Sequence, residues 1–384
     1  GMGRDIYFMP LGGGQRVGAS CYYLRLGEVN IILDAGIGKE RGMVFEPDLY
    51  PLVTSPLIQS LSQINQIYIS HAHADHVGYL FELMGKMPRA EVYMTEITAL
   101  LSQHQLYDKK YLSGGERSEV KRLKAQSMLD KITKVSYLQE MEFGSYKATF
   151  LPAGHIPGAM MILFEWKKRR ILYTGDYSME SMPLTDGCMI PDDLEIDTII
   201  MCGLHARHPG YVKKTDKLFK FVRYVLRLVK EKKISVMCRI RQLSKGIEFL
   251  KILNQRNVEH IPIFIDESVL KVVTKMEQLS VPILDMCNKM MGSEFPREPH
   301  IYITSDYTSW KNRFYQKVDV DFCLHGDFSE MKQFIKKINP RQAVIVHCAK
   351  EYSPFDQTIE QAMMMDGECR TQFIFAEEKE IYQL

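Results

Sequence analysis

The sequence is short of several things that would assign it quickly. No stretch approaches the ~18 uncharged apolar residues needed to span a bilayer, so no membrane partner is expected. Neither charge sign dominates: 49 Lys and Arg stand against 47 Asp and Glu, a net of +2. The chain as a whole therefore carries no nucleic-acid signature in its net charge, although a local basic patch stays open. None of the eight cysteines makes a C-x-x-C pair. With no signal peptide legible, the expectation is a reduced chain in the cytoplasm rather than a disulfide scaffold. There is no internal repeat and no low-complexity segment. Hydrophobic residues at 46% and charged residues at 25% are ordinary for a globular chain, which excludes global disorder, a collagen-like fibre and a coiled coil.

What is present fills more than one core. At ~100–200 residues per domain, 384 residues imply two or three domains. Short apolar strands are read at Ile6–Met9, Ser20–Leu26, Val29–Leu33 and Ile67–Ser70, with Gly12, Gly13 and Gly14 between the first two. Glu91–Met94, Lys147–Leu151, Ala159–Glu165 and Arg170–Thr174 continue the series, and Thr95–Leu129 reads as mostly helical. Layers of strand then helix fit an α/β sandwich. From Ile196 strands and helices alternate, which suggests a small parallel sheet with right-handed crossovers.

The strongest chemical signal is His71-Ala-His73-Ala-Asp75-His76, directly after Gln66-Ile-Tyr-Ile-Ser70. Four side chains of metal-ligating type in six residues, leaving an apolar strand, are what zinc and related divalent ions prefer. A surface histidine cluster would not be flanked by Val77-Gly78-Tyr79-Leu80.

This phrase resembles the H-x-H-x-D-H signature of the metallo-β-lactamase superfamily. The later positions of that pattern find counterparts in order: Asp34 in Ile31-Ile-Leu-Asp-Ala-Gly36, His155 in Pro152-Ala-Gly-His-Ile-Pro-Gly-Ala159, and Asp176 in Leu172-Tyr-Thr-Gly-Asp-Tyr177. The resemblance implies that His71, His73 and His155 hold one metal and Asp75 and His76 another. Asp176 would bridge them, and Asp34 would orient a histidine ligand. Two cations ~3.5–4 Å apart can clamp both attacking and leaving oxygens of a phosphodiester. The implied cofactor is a pair of divalent ions, zinc first, with manganese or iron as alternatives.

The A-G-H-x-x-G-A and Y-T-G-D-Y-S phrases are similar to the β-CASP branch, nucleases with a cap domain inserted in this fold. Two further family motifs match His325, in Phe322-Cys-Leu-His-Gly-Asp327, and His347, in Val344-Ile-Val-His-Cys348. The resemblance makes His347 a ligand of the second metal and His325 the proton donor to the leaving oxygen, a role suited to imidazole. Asp75 and His325 are thus the residues expected in catalysis. One departure stands out. The family's first cap motif is an acid at a strand end, and here Thr198-Ile-Ile-Met-Cys-Gly203 puts Cys202 in that place. A thiol supports imidazolium less well than a carboxylate. The usual cap phrase is also degraded, and only Glu248 keeps a counterpart. His205 and His208 follow as substrate contacts or loop polar residues.

The implied fold is an αββα metallo-β-lactamase sandwich with an inserted small α/β cap. The first segment would be residues 1–204, the cap 205–317 and the returning segment 318–384. Lys213–Lys233 holds nine Lys or Arg against Asp216 and Glu231. Leu218, Val222, Val225, Leu226 and Val229 form an apolar stripe, so the segment reads as an amphipathic helix. Its basic face, with Lys213, Lys217 and Lys220, is either solvated or a track for a phosphate backbone. The expected function is cleavage of RNA, single-stranded in particular, by a hydroxide that two metals activate. RNA is preferred to DNA because the third-motif histidine is present, an inference from the resemblance. The alternatives are a catalytically weakened RNA-binding or assembly member of the branch, which Cys202 favours, and a small-molecule ester, thioester or lactone hydrolase of the wider superfamily. A homodimer paired through the cap or exposed strand edges is a further expectation.

Overall fold

The computed structural model describes residues 5–384 except 104, 107–114, 192, 205, 207–213, 286–295, 306–312, 323–327, 350–357 and 368, and only the backbone of 115–118, 121, 214 and 215. Two units divide the chain. The first comprises Gly1–Met179, Gly187–Tyr211 and His325–Leu384, and the second Glu180–Asp186 and Val212–Leu324.

In chain order the first unit starts with β1 (Ile6–Gly12), β2 (Cys21–Leu26) and β3 (Val29–Leu33), an antiparallel meander. A ribbon of β4 (Gly38–Glu40) and β5 (Met43–Phe45) and a short helix α1 (Tyr50–Val53) follow. Next come β6 (Gln66–Tyr68), helices α2 (Ala74–Val77) and α3 (Leu80–Lys86), β7 (Glu91–Thr95), helices α4 (Glu96–Gln103) and α5 (Gly115–Leu129), and β8 (Ile132–Val135). The strands β3, β6, β7 and β8 run parallel. A final strand β20 (Tyr382–Gln383) pairs with β1, closing a seven-stranded sheet in the order β20-β1-β2-β3-β6-β7-β8.

The second sheet is also seven-stranded. It holds β9 (Glu140–Glu142), β10 (Tyr146–Pro152), β11 (Met160–Trp166), β12 (Arg169–Tyr173), β13 (Thr198–Cys202), β18 (Gln342–Val346) and β19 (Gln372–Phe375), in the order β19-β18-β13-β12-β11-β10-β9. Strand residues alternate between two faces, and the inner faces of both sheets meet in one core. Phe8, Tyr22 and Tyr68 from the first sheet pack with Phe150, Phe164 and Tyr173 from the second. Each buried aromatic or aliphatic side chain contributes roughly 1.5–3 kcal/mol relative to exposure. The outer face of the first sheet is covered by Leu52, Val77, Leu80, Leu83, Ala99 and Leu129 from α1 to α5. Helix α9 (Phe328–Ile338) buries Met331, Phe334 and Ile335, and Phe334 lies 4.9 Å from the Tyr177 ring. These are the αββα layers read from the sequence.

The second unit carries a parallel sheet of β14 (Val236–Ile240), β15 (Ile263–Ile265), β16 (Ile301–Thr304) and β17 (Gln316–Val320), in the order β15-β16-β14-β17. Helix α6 (Lys214–Lys230) precedes β14, and α7 (Leu243–Arg256) and α8 (Glu267–Gln278) follow it. Asp266 caps α8 by accepting the Val269 N–H at 2.8 Å. Helix α6 buries Leu218, Val222, Val225 and Val229, the stripe read from the sequence, whereas Leu226 is half-buried. The main run of the second unit is Val212–Leu324, where the sequence reading put the cap at 205–317. The strand at 316–320 belongs to this second sheet rather than to the returning segment, because it pairs alongside β14 with Met237 opposite Lys317. The short run Glu180–Asp186 also belongs to the second unit. The alternation of strands and helices announces a parallel sheet, but which strands lie side by side leaves no local mark in the sequence.

Candidate metal centre

Strand β6 delivers the histidine phrase. His73 is the N-cap residue of α2, with extended backbone, and Asp75 and His76 occupy the single turn that follows. The loop just after β3 and the residue before β2 grip this turn by their backbone. Ala35 N–H donates to His76 O at 2.9 Å, Ile37 N–H to Ala74 O at 3.0 Å, and Ser20 N–H to Asp75 O at 2.9 Å. Gly36 makes the grip possible: a Cβ there would stand 1.7 Å from Asp75 O.

The other ligand-type residues sit just past strand ends: His155 after β10, Asp176 after β12, and His347 after β18. Three of the site residues hold left-handed backbone: Asp34 at φ 66°, His155 at φ 66° and His347 at φ 51°. Non-glycine residues in that region cost on the order of 1–3 kcal/mol each and persist only where surrounding structure imposes them. For His347 the imposition is visible. Its N–H donates to Gly13 O at 2.6 Å and that of Cys348 to Gly14 O at 3.2 Å, so the glycine run after β1 holds the end of β18.

Two donor groups result. His71, His73, His155 and Asp176 form one, and Asp75, His76, Asp176 and His347 the other, with one ligand atom from each residue lying within 4.8 Å of the rest of its group. Asp176 belongs to both. Its Oδ2 is 3.3 Å from His71 Nε2 and from His76 Nε2, and its Oδ1 is 3.5 Å from His347 Nδ1. Asp75 Oδ2 lies 3.5 Å from His347 Nε2. His155 Nε2 and His73 Nδ1 are 3.2 Å apart. The first group is three imidazoles and a carboxylate, the second two of each, a donor set suited to divalent cations. His71 Nε2 is buried and makes no hydrogen bond, which is costly for a polar atom unless a cation takes it. The residues therefore fit two divalent cations around a shared carboxylate.

The electrostatics agree. Burial opposes charge on Asp75, yet the imidazoles of His76 and His347 hold its carboxyl below the usual range. Burial likewise opposes charging His76, but Asp176, Asp75 and Asp34 raise its proton affinity well above that of ordinary imidazole. For His347 burial prevails and the affinity falls. The centre attracts positive charge.

Asp34 lies beside the ligands. It accepts from Ser70 N–H at 2.7 Å, the Ser70 hydroxyl at 2.8 Å and the Tyr173 hydroxyl at 2.5 Å, and is 2.8 Å from His76 Nδ1. The sequence does not single out Ser70 or Tyr173. Its only signal is their place beside motif residues, which names no role. Ser20 escapes it too: its Oγ is 3.3 Å from His347 Nδ1 and receives the Tyr22 hydroxyl at 3.2 Å.

Cys202 ends β13 with its thiol in the sandwich core, 4.0 Å from the Tyr173 oxygen. Burial, with the charges of Asp176 and Asp34, pushes this thiol well above its ordinary range, so it is neutral. His325, its expected partner, lies outside the described residues, as do His205, His208 and Lys213. Lys217 and Lys220 are exposed on α6. Glu248, on α7 in the second unit, is fully buried and accepts from Leu184 N–H at 2.8 Å and from the Thr185 hydroxyl at 3.4 Å. Burial pushes its carboxyl up to about 8.

The metallo-beta-lactamase superfamily profile matches residues 14–224. RNase aCSPSF2 of Saccharolobus solfataricus is 27% identical over 68% of this chain and 51% of its own length. Cleavage and polyadenylation specificity factor subunit 3 of Dictyostelium discoideum is 27% identical over 68% of this chain and 34% of its own. Probable RNase MJ4 of Methanocaldococcus jannaschii is 26% identical over 69% and 60%. The chain thus spans about a third to three fifths of these relatives. A crystal structure of a protein of unknown function from Enterococcus faecalis V583 shares the fold, with a TM-score of 0.65 and 11% identity over 99% of this chain and 100% of that one. No described helix is long and apolar enough to cross a membrane. With its signature residues gathered around Asp176 and its relatives drawn from RNA-processing enzymes, the chain belongs to the metallo-β-lactamase superfamily, in the β-CASP branch.

Proposed function

We propose that this chain is a metal-dependent hydrolase that cleaves RNA phosphodiesters, single-stranded RNA in particular, at a centre for two divalent cations. The observation that carries the reading is the sharing of Asp176 between two ligand groups. The names of the relatives support RNA as substrate. Zinc suits the imidazole-rich donors, with manganese or iron as alternatives. When bound, such cations polarise phosphoryl oxygens and make water a stronger nucleophile.

The chain's own residues do the rest. His71, His73 and His155 would hold one cation and Asp75, His76 and His347 the other, with Asp176 available to both. Asp75 has the most open of the site carboxylates, with 30% of its side chain exposed, against 1% for Asp176. That exposure supports assigning it to take a proton from an entering water. His325 protonates the leaving oxygen. The second unit corresponds to the inserted cap of the branch. There the exposed face of α6 holds backbone phosphates through Lys217 and Lys220, joined by Arg223 and Arg227, with the exposed Tyr224 among them for base stacking. His205, His208 and Lys213 are further proposed contacts. A cytoplasmic homodimer is the proposed setting.

A second reading has one observation in its favour. The neutral, buried Cys202 stands where the branch carries an acid, which suits a weakened RNA-binding member. Cleavage of end-labelled single-stranded RNA, with matched DNA as control, separates the two. Metal-loaded wild type should cut RNA and Asp176→Ala should not. Equal cleavage by both would sink the metal mechanism. Tight RNA binding without cleavage, with two cations bound per chain, would favour the second reading.

A further inference from the structure

The carboxamide of Gln15 is buried and meets two backbone carbonyls. Its Nε2 donates to Ile345 O at 3.1 Å and to Ala376 O at 3.2 Å. Both neighbours only accept, so the amide nitrogen faces them and both its protons are committed. Ile345 belongs to β18, and Ala376 follows β19, which pairs with it. The ladder between these strands ends with Ala376 N–H donating to Ile345 O at 3.1 Å. Gln15 therefore closes the final rung from outside, from a place 330 and 361 residues away along the chain.

The residues around this contact lead to His347. Gly13 O and Gly14 O accept from the N–H groups of His347 and Cys348, just past Ile345. Gly13, Gly14 and Gln15 thus hold the end of β18 by two backbone carbonyls and one side chain. The segment after β19 closes on the same loop. Lys379 N–H donates to Pro10 O at 2.9 Å, and the Glu378 carboxylate accepts from Gly13 N–H. A Cβ on Gly14 would stand 2.8 Å from Ala376 O and 2.9 Å from Glu378 N, so the loop is seated directly on that segment. His347 needs such support, because its φ of 51° persists only where surrounding structure imposes it. Loss of the Gln15 donors would leave two buried carbonyls short of a partner at this point. His347 belongs to the second donor group, and His71, His73 and His155 to the first.

We propose that Gln15 is a positioning residue for the second cation group: its amide ties the junction of β18 and β19 to the place of His347 and leaves the first group untouched. The inference rests on the reading of this centre as one for two cations. Its test does not use RNA cleavage.

Gln15→Met keeps the length of the side chain and removes its donors. In metal-free protein, hydrogen exchange read by mass spectrometry should rise roughly ten-fold or more in the fragment holding β18 and His347. The fragment holding His71 to His76 should exchange as in wild type. Competition with a chromophoric chelator should find one zinc bound as in wild type and the other ~10–100-fold more weakly, the usual cost of losing support for a ligand. In a His347→Ala background, Gln15→Met should change zinc affinity no further, because both substitutions act on the same group. A merely structural loss would weaken zinc in either background. Thermal melting of the metal-free variants controls for folding. Should Gln15→Met fail to fold, Glu378→Ala, which removes the acceptor of Gly13 N–H, carries the test, with the same split expected at a few-fold. Wild-type exchange at His347 together with wild-type zinc affinity in the folded variants would overturn the proposal, as would equal weakening of both zincs. The exchange measurement needs no metal. A wild type that takes up a single zinc would count against the two-cation reading, while the exchange pattern would still decide whether Gln15 holds His347.

Discussion

Nδ1 of His76 stands 2.8 Å from Oδ2 of Asp34, and neither side chain is exposed to solvent. This pair ties a member of the second donor group to a residue outside both groups. Asp34→Asn preserves the shape but places an amide donor among groups that all donate. We expect cation affinity to fall ~10–100-fold, with the loss concentrated in the group containing His76. Metal content after dialysis against a graded chelator series checks this. Wild-type retention of both ions would show that Asp34 does not orient His76.

Gly36 and Gly85 should respond to alanine in opposite directions. A Cβ on Gly36 would run into Asp75 O at 1.7 Å and His76 N at 2.8 Å. Gly36→Ala should cost about 3 kcal/mol, as overpacking does, and scatter the ligands of α2. Gly85 lies exposed in α3 with nothing within 4 Å of an added Cβ. Gly85→Ala should stabilise by ~0.5–1 kcal/mol. Denaturant midpoints with zinc titrations on both variants measure the contrast.

Glu248 gives stability a pH dependence of its own. Its folded carboxyl is raised from 4.5 to about 8, chiefly by burial. Between those values the folded protein binds more protons than the unfolded chain, so stability falls as pH rises from 4.5 towards 8. Below that window the protonated acid costs nothing extra. Glu248→Gln keeps an acceptor for Leu184 N–H and removes the charge. It should flatten the melting temperature between pH 5 and pH 8 and raise it most at the alkaline end. Parallel pH slopes for the two proteins would show that Glu248 is not the group titrating.

The basic face of α6 is testable through salt. On it, Arg227 lies 3.7 Å from Glu231, while Lys220 and Arg223 are exposed. If Lys220 and Arg223 meet phosphates, Lys220→Ala with Arg223→Ala should make log affinity for single-stranded RNA less steep against log salt, by roughly 0.7 for each phosphate no longer neutralised. Filter binding across a salt series reads it. An unchanged slope would assign the face to solvent.

Legibility in the sequence follows how local the cause is. The His71–His76 phrase, Asp34, His155, Asp176 and His347 are readable because each ends a strand or opens a turn, and the residue type announces the chemistry. The α6 stripe is readable because its spacing is helical. Ser70 and Tyr173 are not, since a serine and a tyrosine acquire meaning only when Asp34 is brought against them from another strand. Strand β8 and the pairing of β17 with β14 escape the sequence for the same reason: short or parallel strands are decided by distant partners. Cys202 is located by the motif, but nothing local foretells its contact with Tyr173.

The hold of Gly13 on His347 has a consequence for biosynthesis. The first donor group is complete once Asp176 has been made, whereas the second waits for His347, 171 residues later. At ~5–20 residues per second, translation leaves an interval of roughly ten to thirty seconds between the two events. During it the nascent chain holds a place for one cation and lacks His347 for the other. Any reaction that needs the pair stays silent until His347 has been made.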